Sequence, residues 1–306
     1  AQGSPPDAHC GGVARLEAAS CRPAGLRRGW GNATLCVVLT GRSRTIVETL
    51  AYATIVAGSL AAPILPLHWV AQTVIGGLTA LPIFVLLRTR FTLFLPALFF
   101  ALNAVLSPGA LAAMEAAGFF FPQLYFLPAI AVYLSVVLPV AKNRKQLEWL
   151  RVGRMNRQTV VITLGLVLLS ATGLVLWARF LAADLDRFST FIPDVSLPLL
   201  ITYGIAFALF NSATETFMAR AVLFDGFQEL FGNAAASVVL QALVFAAWHF
   251  NGSPGGWIGS GLVFVWAFAL GAIRVSSGGL LAPWLAHFFA DATIALILLF
   301  TVVLPS

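Results

Sequence analysis

Six polar side chains in the C-terminal third of the chain lie between long apolar runs and could carry out chemistry there. They are Asn211, Glu215, Arg220, His249, His287 and Asp291. A charged side chain at the centre of a bilayer costs roughly 2.5 to 3.5 kcal/mol even on insertion scales, so such residues usually mark a functional site. Carboxylates and imidazoles can activate a water molecule by general-base catalysis or bind zinc.

Two pairs of residues in this region have the spacing of one helix face. His287 and Asp291 are four residues apart, so the carboxylate could fix the tautomer of the imidazole. The same pair could instead be a self-satisfied polar contact that holds two helices together. Phe245 and His249 are also four residues apart, and His249 could equally be an interfacial histidine at a helix end.

The segment around Glu215 is less regular in its spacing. Thr216 and Arg220 share a helix face, but five residues separate Glu215 from Arg220. On a regular α-helix that separation corresponds to about 140°, so these two do not form a same-face ion pair. Arg220 could simply anchor the end of its helix.

Two turns are expected to bring the separate helices together. If Gly232 and Asn233 turn a helical hairpin, Glu215 and His249 each lie 17 residues from Gly232 and reach equal depth. A second turn at 276–279 returns His287 and Asp291 toward the same bundle. The sequence therefore predicts a carboxylate, two imidazoles and a second carboxylate around one intramembrane cavity.

The composition indicates that this cavity lies in a membrane protein. Only 10% of the 306 residues are charged and 59% are hydrophobic, whereas a soluble domain is about 25% charged. This composition excludes an ordinary soluble enzyme, a disordered chain and a disulfide framework. The three cysteines all precede the first span. A porin-type barrel is disfavoured because the apolar runs are continuous. We expect an all-α polytopic transmembrane bundle.

Apolar runs of about 20 residues predict eight or nine spans. The candidate ranges are 46–65, 69–87, 91–107, 119–140, 159–180, 196–220, 234–250, 257–275 and 280–302. We divide the chain into a flexible or non-native tail (1–45), N-terminal transmembrane helices (46–195) and a transmembrane core (196–302).

The placement of basic residues predicts a cytoplasmic N-terminus. Arg42 and Arg44, Arg88 and Arg90, and the linker 142–157 all fall on one side if odd-numbered spans run outward. The linker could form an amphipathic helix on anionic headgroups or be a plain charged loop. Its six basic residues report topology, so no nucleic-acid partner is expected.

The polar residues resemble the motifs of a known family, the CPBP intramembrane proteases, which comprise CAAX-prenyl endopeptidases and bacteriocin-processing enzymes. The family pattern is EExxxR, FxxxH and HxxxN/D. The matching residues are Glu215-Thr216-x-x-x-Arg220, Phe245-x-x-x-His249 and His287-x-x-x-Asp291. Thr216 departs from the pattern, because the family has a second Glu there. The long N-terminal half resembles myxosortase-type bacterial members, which process exported proteins with C-terminal anchors.

The resemblance implies hydrolysis of a peptide bond in a membrane-associated or C-terminally anchored protein. Glu215 would be the general base with His249 beside it, and His287 with Asp291 would stabilise the oxyanion or position the water. Thr216, Arg220, Phe245 and Asn211 would support them. Family members are described both as metal-free glutamate proteases and as metalloproteases, and Glu215, His249 and His287 would suit zinc with an open position.

Two other functions stay open at the level of the sequence. Thr216 breaks the family pattern, so the chain could be a non-catalytic scaffold or an immunity-type protein with a decayed site. Intramembrane Glu, Arg, His and Asp also build the proton relays of coupled transporters. The sequence contains no duplicated halves of the inverted-repeat kind that many transporters have.

Overall fold

The computed structural model describes residues 41–62, 65–117, 122–140, 151–181, 192–252 and 254–303, together with residues 185 and 189. Across these ranges the chain is all-helical and has no β-strand, which confirms the predicted fold class. The α-helices are α1 Gly41–Ala61, α2 Trp69–Ala80, α3 Ile83–Thr89, α4 Phe91–Ala116, α5 Leu127–Val140, α6 Arg157–Phe180, α7 Leu197–Thr216, α8 Phe224–Phe231, α9 Ala234–Trp248, α10 Gly256–Ser277 and α11 Leu281–Leu298. Short 3₁₀ or π segments adjoin α5, α7, α9 and α11.

Within the described ranges, six helical stretches are long and apolar enough to cross a membrane: 69–89, 91–116, 157–180, 197–231, 256–277 and 281–303. Each of the nine predicted spans overlaps a helix, but α1 is not among the six. The apolar helices at 124–139 and 234–248 are shorter than a full span. The chain is therefore an integral multi-pass membrane protein, and a cytoplasmic N-terminus stays a prediction. The domain boundary at residue 196 likewise stays a prediction.

The N-terminal helices pack around buried aromatic side chains. Tyr52 of α1 meets Phe100 of α4 edge-to-face, with ring centroids 6.4 Å apart. Phe99 makes similar contacts with Tyr133 of α5 and with Phe217 beyond α7. Edge-to-face contacts of this kind add to the stability that area burial gives, so the N-terminal helices support the segment that follows α7.

A charge network joins one end of these helices to α8. The buried carboxylate of Glu48 pairs with Arg44 at 2.8 Å and lies 3.6 Å from the Arg90 guanidinium. Arg90 also pairs with Glu229 of α8 at 2.9 Å, whose carboxylate accepts a hydrogen bond from Thr92. Arg44 and Arg90 therefore lie at the same end of the bundle, in agreement with the grouping that the charge pattern predicted.

The 151–156 segment has no regular secondary structure and pairs with the turn between α10 and α11 through backbone hydrogen bonds. The Leu280 and Leu281 amides donate to the carbonyls of Arg151 and Val152, and the Arg154 amide donates to Ser277. Asn156 then caps α6, because its side chain accepts a hydrogen bond from the Thr159 amide. Residues 151–156 are therefore not helical, so an amphipathic helix cannot extend over the whole linker. Residues 142–150 lie outside the described ranges. Residues 1–40 of the predicted tail also lie outside them. Helix α1 begins at Gly41, so residues 41–45 are helical.

Replacing Gly153 by Ala should detach this segment from the turn. Gly153 has φ +89°, a left-handed conformation that costs an L-residue about 1–2 kcal/mol, and an added Cβ would lie 2.8 Å from the Gly279 backbone. We expect a lower thermal unfolding midpoint in detergent. Gly165→Ala on α6 is the control, because its Cβ would meet nothing within 4 Å. Equal midpoints for the two variants would contradict this packing.

Candidate functional site

The helix that carries Glu215 continues without a break into α8 through a π-helical segment, Phe217–Leu223. Hydrogen bonds in a π-helix join residues five apart, and π-turns are common at functional sites. Residues five apart therefore come closer to one face than on an α-helix, so the angle of 140° expected for a regular helix does not apply to Glu215 and Arg220. Both side chains face the site described below.

The predicted hairpin after α8 is present. Gly232 ends α8 with φ +62°, a conformation that glycine adopts without steric cost. Asn233 caps α9, because its side-chain oxygen accepts hydrogen bonds from the amides of Ala235 and Ala236. Helix α9 is only 15 residues long, so His249 in the following 3₁₀ turn lies beside α7 rather than beyond it.

The second predicted turn returns the chain to the same site. Gly278 ends α10 with φ +69°, and α11 starts at Leu281. His287 and Asp291 are buried on α11, and α11 packs against both α7 and α6. The two hairpins therefore bring three helix segments together, with one titratable group or pair on each.

The four groups predicted to be catalytic lie within a few ångströms of one another. The Oε2 atom of Glu215 is 3.3 Å from His287 Nε2 and 3.8 Å from His249 Nε2. His287 Nε2 is also 3.7 Å from Asp291 Oδ2. These distances are slightly longer than those of good hydrogen bonds. The groups are nevertheless close enough together for one water molecule or substrate atom to contact several of them at once.

His249 is held in one orientation by its own helix. Its Nδ1 atom is 2.9 Å from the Phe245 carbonyl oxygen, and a carbonyl only accepts hydrogen bonds. Nδ1 therefore carries the proton. In the neutral ring Nε2 then presents a lone pair toward Glu215, so His249 offers an acceptor to the site.

Two of the residues predicted to be supporting orient the α11 pair. Asn211 Nδ2 donates to Asp291 Oδ2 at 2.9 Å, and Thr216 Oγ1 lies 2.9 Å from His287 Nδ1. These contacts cross from α7 to α11. The residue that departs from the family pattern is thus in direct contact with one of the two histidines.

Arg220 is fully buried beneath the site between aromatic rings. Its guanidinium carbon lies 4.3 Å from the centre of the Phe245 ring and 5.4 Å from that of Trp266. Its three guanidinium nitrogens have no hydrogen-bond partner among the described residues. Cation–π contacts can be worth about 2 kcal/mol when desolvated. The two rings therefore hold the positive charge of Arg220 near the carboxyl groups, although the guanidinium forms no hydrogen bond with them.

Trp266 of α10 is part of this site and was not identified from the sequence. Its ring meets the His287 imidazole edge-on, with centroids 4.7 Å apart, and it also covers Arg220. No charge or motif distinguishes it from the other aromatic residues of the apolar helices. Only the packing of α10 against α9 shows that Trp266 lines the site.

The site opens into a cavity of about 950 Å³. Glu215, His249, His287 and Asp291 all contribute to its wall. The rest of the lining comes mainly from apolar side chains of α6, α7, α10 and α11. The cavity could therefore hold an apolar segment of a substrate next to the titratable cluster.

Zinc binding by Glu215, His249 and His287 stays a prediction, since their side chains are not arranged around a common metal position in this structure. Among the described residues, no group of three His, Cys, Asp or Glu has the geometry to hold a metal ion. The charge of Arg220 close beneath the cluster also opposes a divalent cation there.

Residues 197–293 match the model of the family described as type II CAAX prenyl endopeptidase Rce1-like. The match covers α7 to α11, which carry all three motifs, and it confirms the resemblance to the CPBP proteases. It supports a CAAX-protease type of intramembrane endopeptidase in general. No match was found among curated proteins, and none among solved structures.

Proposed function

We propose that the chain hydrolyses a peptide bond of a membrane-associated or C-terminally anchored protein, a function supported by the match of residues 197–293 to the Rce1-like endopeptidase family. The attacking group is a water molecule activated by Glu215 and His249. The observation that supports this most is the position of Glu215 Oε2, within 4 Å of the Nε2 atoms of two histidines.

The first step uses two acceptors on different helices. The Glu215 carboxylate and the His249 Nε2 lone pair face each other across 3.8 Å. A water that donates one hydrogen bond to each would satisfy both acceptors and turn an oxygen lone pair toward the substrate. As that oxygen attacks the carbonyl carbon, Glu215 takes up one proton of the water.

The second step needs a donor for the negative charge on the former carbonyl oxygen. His287 is that donor, because Asp291 is acidic and would repel an oxyanion. Asp291 instead orients His287 and is itself held by Asn211. The tetrahedral intermediate then collapses, the C–N bond breaks, and Glu215 returns its proton to the leaving amine.

The lining of the cavity supports the proposed substrate class. An apolar cavity next to a polar cluster suits a protein whose scissile bond adjoins a membrane-embedded segment. A substrate anchored by its C-terminal segment fits this arrangement. A myxosortase-like role and a location in a bacterial inner membrane are compatible with it and stay predictions.

Replacing His249 by Ala should remove most of the cleavage activity, because the water loses one of its two acceptors. General-base assistance contributes about 10²- to 10⁴-fold to rate, and we expect a loss within that range. The measurement is the release of C-terminally anchored reporter proteins from membranes that contain each variant.

His68→Ala is the matched control. His68 caps α2 and does not line the cavity, so its loss should leave cleavage unchanged. Equal activity of the His249 and His68 variants would contradict the assignment of His249.

A further inference from the structure

Thr216 and His287 form a buried contact between α7 and α11. Thr216 Oγ1 lies 2.9 Å from His287 Nδ1, and the two residues are 2% and 1% exposed. A hydroxyl can donate or accept, and so can a ring nitrogen, according to the tautomer. The direction of this hydrogen bond therefore decides which nitrogen of His287 carries the proton.

The two carboxyl groups near the other ring nitrogen, Nε2, favour one direction. His287 Nε2 faces oxygen atoms of two carboxyl groups, Glu215 Oε2 at 3.3 Å and Asp291 Oδ2 at 3.7 Å. If Nδ1 donated to Thr216, the neutral ring would turn its Nε2 lone pair toward both oxygens, and ionised carboxylates repel a lone pair. If Thr216 donates to Nδ1, the Nε2–H group points at them, which attracts.

The surroundings of the ring also favour its neutral form. Arg220 carries a permanent charge in the same site, and the His287 ring is enclosed by Phe245 and Trp266 at centroid distances of 6.1 Å and 4.7 Å. A second buried cation would be opposed by the first and by the loss of solvent. One proton on the ring, at one nitrogen, is the state that these contacts stabilise.

We propose that Thr216 is a positioning residue that holds His287 in the Nε2–H tautomer by donating its hydroxyl proton to Nδ1. The tautomer follows from the contacts alone. Its consequence for catalysis rests on the proposed function, in which Nε2–H donates to the oxyanion. In this proposal the threonine at position 216 contributes to the function of the site, although it replaces the second Glu of the family pattern.

The identity of residue 216 matters for this role. Serine keeps a donor hydroxyl at the same place, whereas valine keeps the shape of threonine and has no donor. A carboxylate here would accept a hydrogen bond from Nδ1–H and favour the opposite tautomer. Thr216→Ser, Thr216→Val and Thr216→Glu therefore separate the hydrogen bond from the packing.

The direct test is ¹⁵N NMR of histidine-labelled protein in nanodiscs. The chain has four histidines, so the His287 signals can be assigned by their loss in His287→Gln. We expect a pyridine-type Nδ1 and a pyrrole-type Nε2 in the wild type and in Thr216→Ser. Thr216→Val should show a mixture of tautomers, and Thr216→Glu a pyrrole-type Nδ1. A protonated Nδ1 in the wild type, or an unchanged spectrum in Thr216→Val, would overturn the inference.

Cleavage kinetics give the second readout. Thr216→Val should lower kcat at least about 10-fold, since a histidine held in the wrong tautomer cannot fulfil its role, with KM unchanged. Thr163→Val is the control, because the buried Thr163 hydroxyl donates to the Thr159 carbonyl oxygen of its own helix. If the NMR result stands but the wild type cleaves nothing, the proposed function fails and the tautomer assignment survives.

Discussion

Replacing Glu215 by Gln is expected to abolish peptide-bond hydrolysis and to leave the fold intact. The amide has the shape of the carboxyl group but cannot take a proton from water, so the general base is lost. The expected decrease in rate is about 10²- to 10⁴-fold. The measurement is the same reporter release, with folding checked by elution as a single species in detergent.

The control for this change is Glu115→Gln at the exposed end of α4. It makes the same chemical replacement away from the cavity and should change neither rate nor folding. Glu215→Asp tests position rather than chemistry, because it keeps the acid but withdraws it by one methylene. Full activity of the Glu215→Gln variant would show that the water is activated by another group.

Replacing Arg220 by Met is expected to destabilise the protein through the two carboxyl groups that remain. Methionine keeps the apolar packing on Phe245 and Trp266 but removes the positive charge that acts on Glu215 and Asp291. Removing one partner from a buried set of charges typically costs about 3–5 kcal/mol. We expect a lower midpoint of thermal unfolding, followed by tryptophan fluorescence at one scan rate.

A second substitution makes this prediction specific to charge. Asp291→Asn removes one of the two carboxyl groups, so the Arg220→Met/Asp291→Asn variant should recover at least half of the lost stability. Arg179→Met, which removes an exposed arginine near the Phe180 ring, should have little effect. If the two changes in the site simply add, Arg220 acts through packing rather than charge.

The sequence predicted the convergence of the site because membrane burial makes polar residues informative. Glu215, His249 and His287 stand out only because the rest of their helices is apolar, and glycine turns at Gly232 and Gly278 set how those helices meet. The same reasoning predicted helices over all nine apolar ranges. The lengths of the helices were less predictable. The length of α9, for example, is set by its capping residue and by the glycine-rich turn after it.

Other features of the site depend on contacts that have no sequence signature. The π-helical segment after Thr216 has none, and it changes which residues share a face with Glu215. Trp266 is one aromatic residue among many until α10 packs beside α9. Thr216 was judged by what it replaces, whereas its role follows from the ring that lies next to it.

The central claim is that water adds to a peptide carbonyl at Glu215, and isotope incorporation tests it most directly. Membranes from cells that express the chain would be incubated in H₂¹⁸O, and C-terminal peptides of membrane proteins analysed by mass spectrometry. We predict new C-termini that carry one ¹⁸O atom with the wild type and are missing with Glu215→Gln. New termini that are equally frequent in both, or found in neither, would contradict the account.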